Sequence, residues 1–159
     1  MNRNLIHIYT GSGSKKTNAA VGLTIRALSH GLKVGFVYFN KDLNERGYEE
    51  FELMKSMGVE VKGFAEKHQD FQKEVDRDKI RREFTEGLNF VKDMFNQSFD
   101  LIVLDEIIIA VQDGFLKGEE ILELLDNKPP ETELILTGLE ATDALIDRAD
   151  LVSRVEKVK

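Results

Sequence analysis

Apolar positions along this chain follow two periods, one typical of strands and one typical of helices. Short apolar runs bounded by turn residues predict buried β-strands, and apolar residues recurring every three or four positions predict helices with one buried face. The clearest helix is 76–97, in which Ile80, Phe84, Leu88, Val91 and Phe95 share a face. The predicted strands are 5–9, 33–39, 59–61, 101–104, 133–138 and 151–155, and the predicted helices are 19–28, 49–57, 76–97, 119–126 and 142–148.

The order of these elements indicates the fold class. Strands alternate with helices, which predicts an α/β domain with a mostly parallel sheet of about six strands and helices on both faces. The apolar pair Ile108-Ile109 directly follows a buried strand, so we expect it in the core rather than at a contact between subunits. The polar segment 64–75 is interpreted as a mobile loop. No repeat or linker interrupts the pattern, and we therefore expect one domain spanning 1–159.

A glycine-rich turn between the first strand and the first helix carries the strongest chemical signal, in the sequence Thr10-Gly11-Ser12-Gly13-Ser14-Lys15-Lys16-Thr17. Strand, glycine turn, Lys-Thr and helix are the context of a phosphate-binding loop, or P-loop. In such a loop, backbone N–H groups and the positive end of the helix bind phosphate oxygens. Lys16 would neutralise phosphate charge, and Thr17 would hold a magnesium ion.

The turn departs from the common pattern G-x-x-x-x-G-K-[ST]. Thr10 and Lys15 stand where the two glycines are expected, and only Lys16-Thr17 match. A side chain at position 15 would be unfavourable if the backbone there needed a positive φ. The alternative interpretation is a glycine-serine turn in which the Lys-Thr pair is incidental.

Two acids follow the buried strand 101–104. In a parallel sheet ligands gather beyond the carboxyl ends of the strands, so Asp105 and Glu106 are expected beside the glycine turn. The first acid would orient the magnesium shell, and the second would contact the metal or poise a nucleophile. The alternative is that the pair only ends the strand and meets solvent.

Composition narrows the classes of function. The chain has 42% hydrophobic and 32% charged residues and a net charge of −7, which argues against a broad nucleic-acid or membrane surface. It has no cysteine, so thiolate chemistry and disulfides are excluded. No apolar run approaches the roughly 20 residues of a membrane span, and no signal peptide is seen before the first strand. We therefore expect a cytoplasmic protein.

Several blocks, collinear over nearly the whole chain, resemble the corrinoid adenosyltransferases of the P-loop, RecA-like type, which have a three-layer sandwich fold. The blocks are Tyr9-Thr10-Gly11-Ser12-Gly13, Lys16-Thr17, Ala19-Ala20, Gly22-Leu23 through Arg26-Ala27, His30-Gly31-Leu32-Lys33-Val34, Val103-Leu104-Asp105-Glu106-Ile107, Asp113-Gly114-Phe115-Leu116, 120–125, Leu136-Thr137-Gly138 and Ala149-Asp150-Leu151-Val152.

The resemblance implies transfer of the 5′-deoxyadenosyl group of ATP to the cobalt of a reduced corrinoid, with release of triphosphate. It implies ATP and Mg²⁺ as cofactors, corrinoid (cobalamin) as the second substrate, and a homodimer. Lys16 and Glu106 are the catalytic candidates, and Thr17, Asp105 and Glu106 are the metal candidates. The candidate nucleotide-binding residues are Gly11, Ser12, Gly13, Ser14, Lys15, Lys16, Thr17, Asn18 and Arg26.

Departures from the family pattern keep a second hypothesis open. The family sequence T-G-x-G-K-G-K-T-T is altered at Ser14, Lys15 and Asn18, and its aromatic segment near 64–71 is unrecognisable. Ile108-Ile109 replace Asn-Tyr, Leu139 replaces an arginine, and the family's C-terminal tail is not seen after Lys159. The alternative is a degenerate P-loop nucleotide-binding protein without transferase activity, acting as a sensor or partner subunit. A small-molecule kinase or ATPase is a third, weaker option.

Overall fold

The central feature of the fold is a parallel β-sheet. The computed structural model describes residues 5–13, 15–41, 48–66 and 76–159. These residues form the strands β1 Ile6–Thr10, β2 Val34–Phe39, β3 Glu60–Phe64, β4 Leu101–Asp105, β5 Glu133–Thr137 and β6 Leu151–Arg154. The strand order is β3-β2-β4-β5-β1-β6, and every pairing is parallel. The predicted sheet is therefore confirmed.

Helices cover both faces of this sheet. They are α1 Lys16–Ser29, α2 Glu49–Ser56, α3 Arg77–Met94, α4 Ile107–Gln112, α5 Gly118–Asp126 and α6 Asp143–Arg148. Residues of α1 and α2 pack with one buried cluster of the sheet, and residues of α3 to α6 pack with the other. Every residue of β2 is buried, as expected for a strand covered on both sides. The result is the three-layer α/β/α sandwich that the sequence predicts.

The structure differs from the sequence prediction at element boundaries. Helix α1 begins at Lys16, three residues before the predicted start, because its first turn is polar and shows no apolar period. Strand β3 lies at Glu60–Phe64 rather than 59–61, and α3 ends at Met94 rather than at 97. The short helix α4 was not predicted; it places Ile108 in the core, as expected, and leaves Ile109 partly exposed.

The predicted mobile loop 64–75 lies outside the described residues from 67 onward, and Phe64 itself ends β3. Within the described ranges, no helix combines the length and the apolar character needed to cross a lipid bilayer. Because all strands run in one direction, the segments after β1, β2, β4 and β5 meet at one edge of the sheet. The candidate site lies at that edge.

Candidate functional site

The side chain of Lys16 is hydrogen-bonded to the backbone of the glycine turn. Its Nζ donates to the carbonyl oxygen of Gly11 at 2.8 Å and to that of Gly13 at 2.7 Å. The residue is 6% exposed. The ammonium therefore lies inside the turn, where incoming phosphate oxygens would compete with the two carbonyl groups for its protons.

The glycines of the turn accommodate the C-terminal segment of the chain. Gly11 has φ +109°, and a Cβ at either Gly11 or Gly13 would overlap the carbonyl group of Val155. The N–H of Gly13 donates to the Val155 oxygen at 2.9 Å, and the N–H of Gly11 donates to the Leu139 oxygen at 2.8 Å. These two amides, expected to bind phosphate, thus donate within the protein.

The start of α1 offers other backbone donors. Lys15 is the N-cap with φ −108°, so this position does not need the glycine that the common pattern carries. The N–H of Ala19 donates to the carbonyl of Lys15, which leaves the N–H groups of residues 16–18 without partners inside the helix. Together with the helix dipole, these three amides give this end of α1 a partial positive charge.

Apart from Thr17, the other candidate nucleotide-binding residues that the structure describes have exposed side chains. The side chains of Ser12, Lys15 and Asn18 are exposed, and Lys15 and Asn18 line an open groove of about 390 Å³ together with Val21 and Glu50. Ser14 lies outside the described residues. Arg26 is exposed in the last turn of α1, about 15 Å along the helix from Lys16. The structure therefore does not bring Arg26 together with the other candidates.

Asp105, at the end of β4, is the buried centre of the site. Its carboxylate is fully buried and accepts hydrogen bonds from the hydroxyls of Thr17, at 3.1 Å to each oxygen, and of Thr137, at 2.7 Å. The Nζ of Lys41 lies 3.0 Å from its Oδ2. A carboxylate without partners would be costly at this depth, and the three partners together satisfy its oxygens and fix its orientation.

Lys41 is a residue of this site that the sequence analysis did not identify. It is 6% exposed, and its Nζ also lies 3.2 Å from Oγ1 of Thr17 and 5.3 Å from the ring centre of Tyr48. Burial alone would lower the pKa of Lys41, but attraction by the Asp105 carboxylate outweighs it and raises the pKa above its ordinary value. Lys41 is therefore a positively charged part of the site.

Glu106 lies next to this centre in an unusual backbone conformation. It has φ +65° and precedes α4, and its N–H donates to Oγ1 of Thr137 at 2.8 Å. Burial and the neighbouring Asp105 charge raise the pKa of Glu106, and Lys41 and Lys16 partly offset them. A non-glycine residue in this conformation is held there by its surroundings, here by Thr137.

The residues present fit a magnesium ion. Oγ1 of Thr17 and the Asp105 oxygens are 3.1 Å apart, and neighbouring ligands of an octahedral magnesium ion are about 3.0 Å apart. Glu106 adds a second carboxylate beside them. No cluster of three or more potential His, Cys, Asp or Glu ligands occurs among the described residues. Phosphate oxygens and water would thus complete the shell, as is usual for magnesium bound with a nucleotide.

Comparison with known proteins identifies the family. The family model for ATP:corrinoid adenosyltransferase BtuR/CobO/CobP matches residues 2–159. The corrinoid adenosyltransferase of Escherichia coli (strain K12) is 33% identical over 99% of this chain and 79% of its own length. The corrinoid adenosyltransferase of Pseudomonas aeruginosa is 30% identical over 99% of this chain and 77% of its own length.

A solved structure supports the fold. AMPPCP-bound DnaA from Aquifex aeolicus superposes with a TM-score of 0.50 at 16% identity, over 97% of this chain and 41% of that chain. The present chain thus spans about two fifths of the DnaA chain, and at this identity the likeness concerns the fold alone. The sequence blocks, the α/β fold and the family model agree, and this chain belongs to the ATP:corrinoid adenosyltransferase family.

Proposed function

We propose that this protein transfers the 5′-deoxyadenosyl group of ATP to the cobalt of a reduced corrinoid. The electron pair of Co(I) attacks the 5′ carbon of the ribose, and a cobalt–carbon bond forms. The bond between that carbon and the triphosphate oxygen breaks, and triphosphate leaves with the bonding pair. Cobalt thereby goes formally from Co(I) to Co(III), and no protein nucleophile is needed.

Within this proposal the protein binds and orients the triphosphate. The N–H groups of residues 16–18 and the Lys16 ammonium would contact phosphate oxygens, and their position at the positive end of α1 supports this role. Thr17, Asp105 and Glu106 would hold magnesium, which supplies positive charge to the departing triphosphate. The catalytic contribution of these residues is positioning and charge stabilisation.

The observation that carries the proposal is the meeting of four charged side chains at the start of α1. Lys16, Lys41, Asp105 and Glu106 come from three separate segments of the chain and interact electrostatically at one edge of the sheet. A turn with an incidental Lys-Thr pair would not need the buried Asp105 beside Thr17. In a member of the corrinoid adenosyltransferase family, this arrangement favours binding of magnesium-ATP.

Calorimetric titration with magnesium-ATP tests the binding step. We expect Lys16→Ala to weaken binding by about tenfold or more, because a charged hydrogen-bond donor to phosphate is lost. Lys55→Ala is the control, since Lys55 is an exposed lysine on α2 that carries the same charge, and it should change the affinity much less. Equal losses in the two variants would argue against a specific role of Lys16.

A spectral assay for adenosylated corrinoid, on the same sample under reducing conditions, tests the transfer step. The alternative function is nucleotide binding without transfer. It is favoured by Lys15, Ile108-Ile109 and Leu139, which replace residues that the family usually carries. Binding without transfer would select this alternative. Absence of magnesium-ATP binding by the wild-type protein would reject both functions.

We further propose that the chain acts as a single domain over 1–159 and as a homodimer in the cytoplasm, with small-molecule substrates and without a nucleic-acid partner. The single sheet that both core clusters share supports one domain. The net charge of −7 disfavours nucleic acid. Light scattering coupled to size-exclusion chromatography measures the assembly, and a monomeric mass at working concentration would contradict the dimer.

A further inference from the structure

Lys41 lies where a divalent cation would bind. We infer that the Lys41 ammonium and magnesium compete for the same two ligands, Oγ1 of Thr17 and the Asp105 carboxylate, and that magnesium-ATP displaces Lys41 toward the triphosphate. This inference rests on the proposed function, because it concerns the same site. It assigns to Lys41 a positioning role that depends on whether nucleotide is bound.

The short distances among Lys41, Asp105 and Thr17 are the basis for competition between the ammonium and the metal. Nζ of Lys41 is 3.0 Å from Oδ2 of Asp105 and 3.2 Å from Oγ1 of Thr17, and these two oxygen atoms are 3.1 Å apart. An ion that binds both oxygens on the same side as the ammonium would overlap it. On any other side it would share one buried carboxylate with a second cation a few ångströms away, which is unfavourable at low solvent exposure.

The charges of the two adjacent acids explain why a cation is needed beside Asp105 both with and without nucleotide. Asp105 is fully buried and Glu106 lies next to it, so removal of every cation would leave two adjacent carboxylates in a largely dry site. Lys41 compensates this charge and keeps Thr17 and Asp105 in the geometry that magnesium needs. Residues 16–18 and the Lys16 ammonium then receive the phosphates that accompany the metal.

Displacement also gives Lys41 a second role. When magnesium-ATP takes over the two oxygens, the Lys41 ammonium loses its partners beside the triphosphate. Lysine is a compact point charge on a flexible stem, and it can move a few ångströms to a phosphate oxygen without rearrangement of β2. The charge that protected the site would thereby stabilise the leaving group of the transfer reaction.

Binding of Mn²⁺ in the absence of nucleotide, followed by electron paramagnetic resonance, tests the competition directly. We expect Lys41→Met to bind Mn²⁺ about tenfold or more tightly than the wild-type protein, because the competing charge is gone. Lys55→Met is the matched control: it removes the same charge from an exposed position on α2, and its affinity should not change. Lys41→Arg keeps the charge and should bind Mn²⁺ as weakly as the wild type. If Lys41→Met binds Mn²⁺ no more tightly than Lys55→Met, the inference is overturned.

A measurement on the wild-type protein avoids any folding defect of Lys41→Met. The lysine NζH₃⁺ signals of protein labelled with ¹⁵N-lysine are recorded by NMR, and the Lys41 signal is assigned by its loss in Lys41→Arg. We expect this signal to shift on saturation with magnesium-ATP. A Lys41 signal that keeps its position while calorimetry shows saturation overturns displacement. If calorimetry instead shows no binding, the proposed function fails, and the Mn²⁺ titration alone decides whether Lys41 competes with the metal.

Discussion

Thr137 connects the two acids of the site, and its hydroxyl group can be removed with little change in shape. Its Oγ1 donates to Asp105 at 2.7 Å and accepts the N–H of Glu106 at 2.8 Å, and the side chain is fully buried. Thr137→Val keeps the volume and the strand propensity but deletes both hydrogen bonds. The part-buried N–H of Glu106 is then left without this partner.

The magnitude follows from the two bonds. A hydrogen bond to a charged acceptor contributes about 1.5–3 kcal/mol, and an unsatisfied buried N–H costs about 1–3 kcal/mol. Asp105 retains Thr17 and Lys41, which limits the first loss, and the added methyl group is apolar. We therefore expect Thr137→Val to lower the free energy of unfolding by about 2–4 kcal/mol.

Urea unfolding followed by far-ultraviolet circular dichroism measures this loss. The matched control is Thr24→Val, because Thr24 is equally buried but donates only to the carbonyl of Ala20 in its own helix. That bond competes with the helix ladder, so the control should lose less than about 1 kcal/mol. Equal losses for Thr137→Val and Thr24→Val would refute the structural role assigned to the Thr137 hydroxyl.

Two further predictions concern stability. The pKa of Glu106 is raised in the folded state, chiefly by burial. The contribution of this one group therefore favours the folded form at low pH and is lost as the pH rises through that pKa. Glu106→Gln should therefore gain stability relative to wild type between about pH 4 and pH 7 in urea unfolding. Glu120→Gln should lose stability relative to wild type, because the hydrogen bond from Arg81 lowers the pKa of Glu120 in the folded state. A change of stability with the same sign in both variants would contradict these two assignments. Gly138→Ala should lower the free energy of unfolding by about 1–3 kcal/mol, because its Cβ would overlap Ile108. Gly22→Ala, at an open position of a helix, should raise it by up to about 1 kcal/mol. Thermal unfolding that ranks the two variants in the reverse order would contradict the packing described for these glycines.

Much of the fold could be predicted because burial leaves a local pattern. Within the predicted strand 33–39, the residues after Lys33 carry no charge and are apolar on both faces, and they form the fully buried strand β2, Val34–Phe39. In α3, Ile80, Phe84, Leu88 and Val91 are buried at the spacing seen in the sequence. Helix α4 has only six residues, too few to show a helical period, and it follows β4 through a left-handed Glu106 that no local pattern indicates.

The candidate site could be predicted only in part, because its geometry depends on distant segments. The proximity of Thr17 to Asp105 follows from the motif and the parallel sheet. Lys41 and Thr137 were missed, although each stands at or just beyond the carboxyl end of a strand, where polar residues meet ligands. The contact of Val155 with the glycine turn joins residues far apart in sequence, and nothing local in the turn signals it.

The nature of the released product tests the central claim most directly. ³¹P NMR of a reaction with magnesium-ATP and chemically reduced corrinoid distinguishes inorganic triphosphate from ADP and phosphate. The proposed transfer predicts triphosphate in equal amount to the adenosylated corrinoid, and none when the corrinoid is left out. Formation of ADP and phosphate, or consumption of ATP without the corrinoid, would contradict adenosyl transfer and indicate an ATPase or kinase reaction instead.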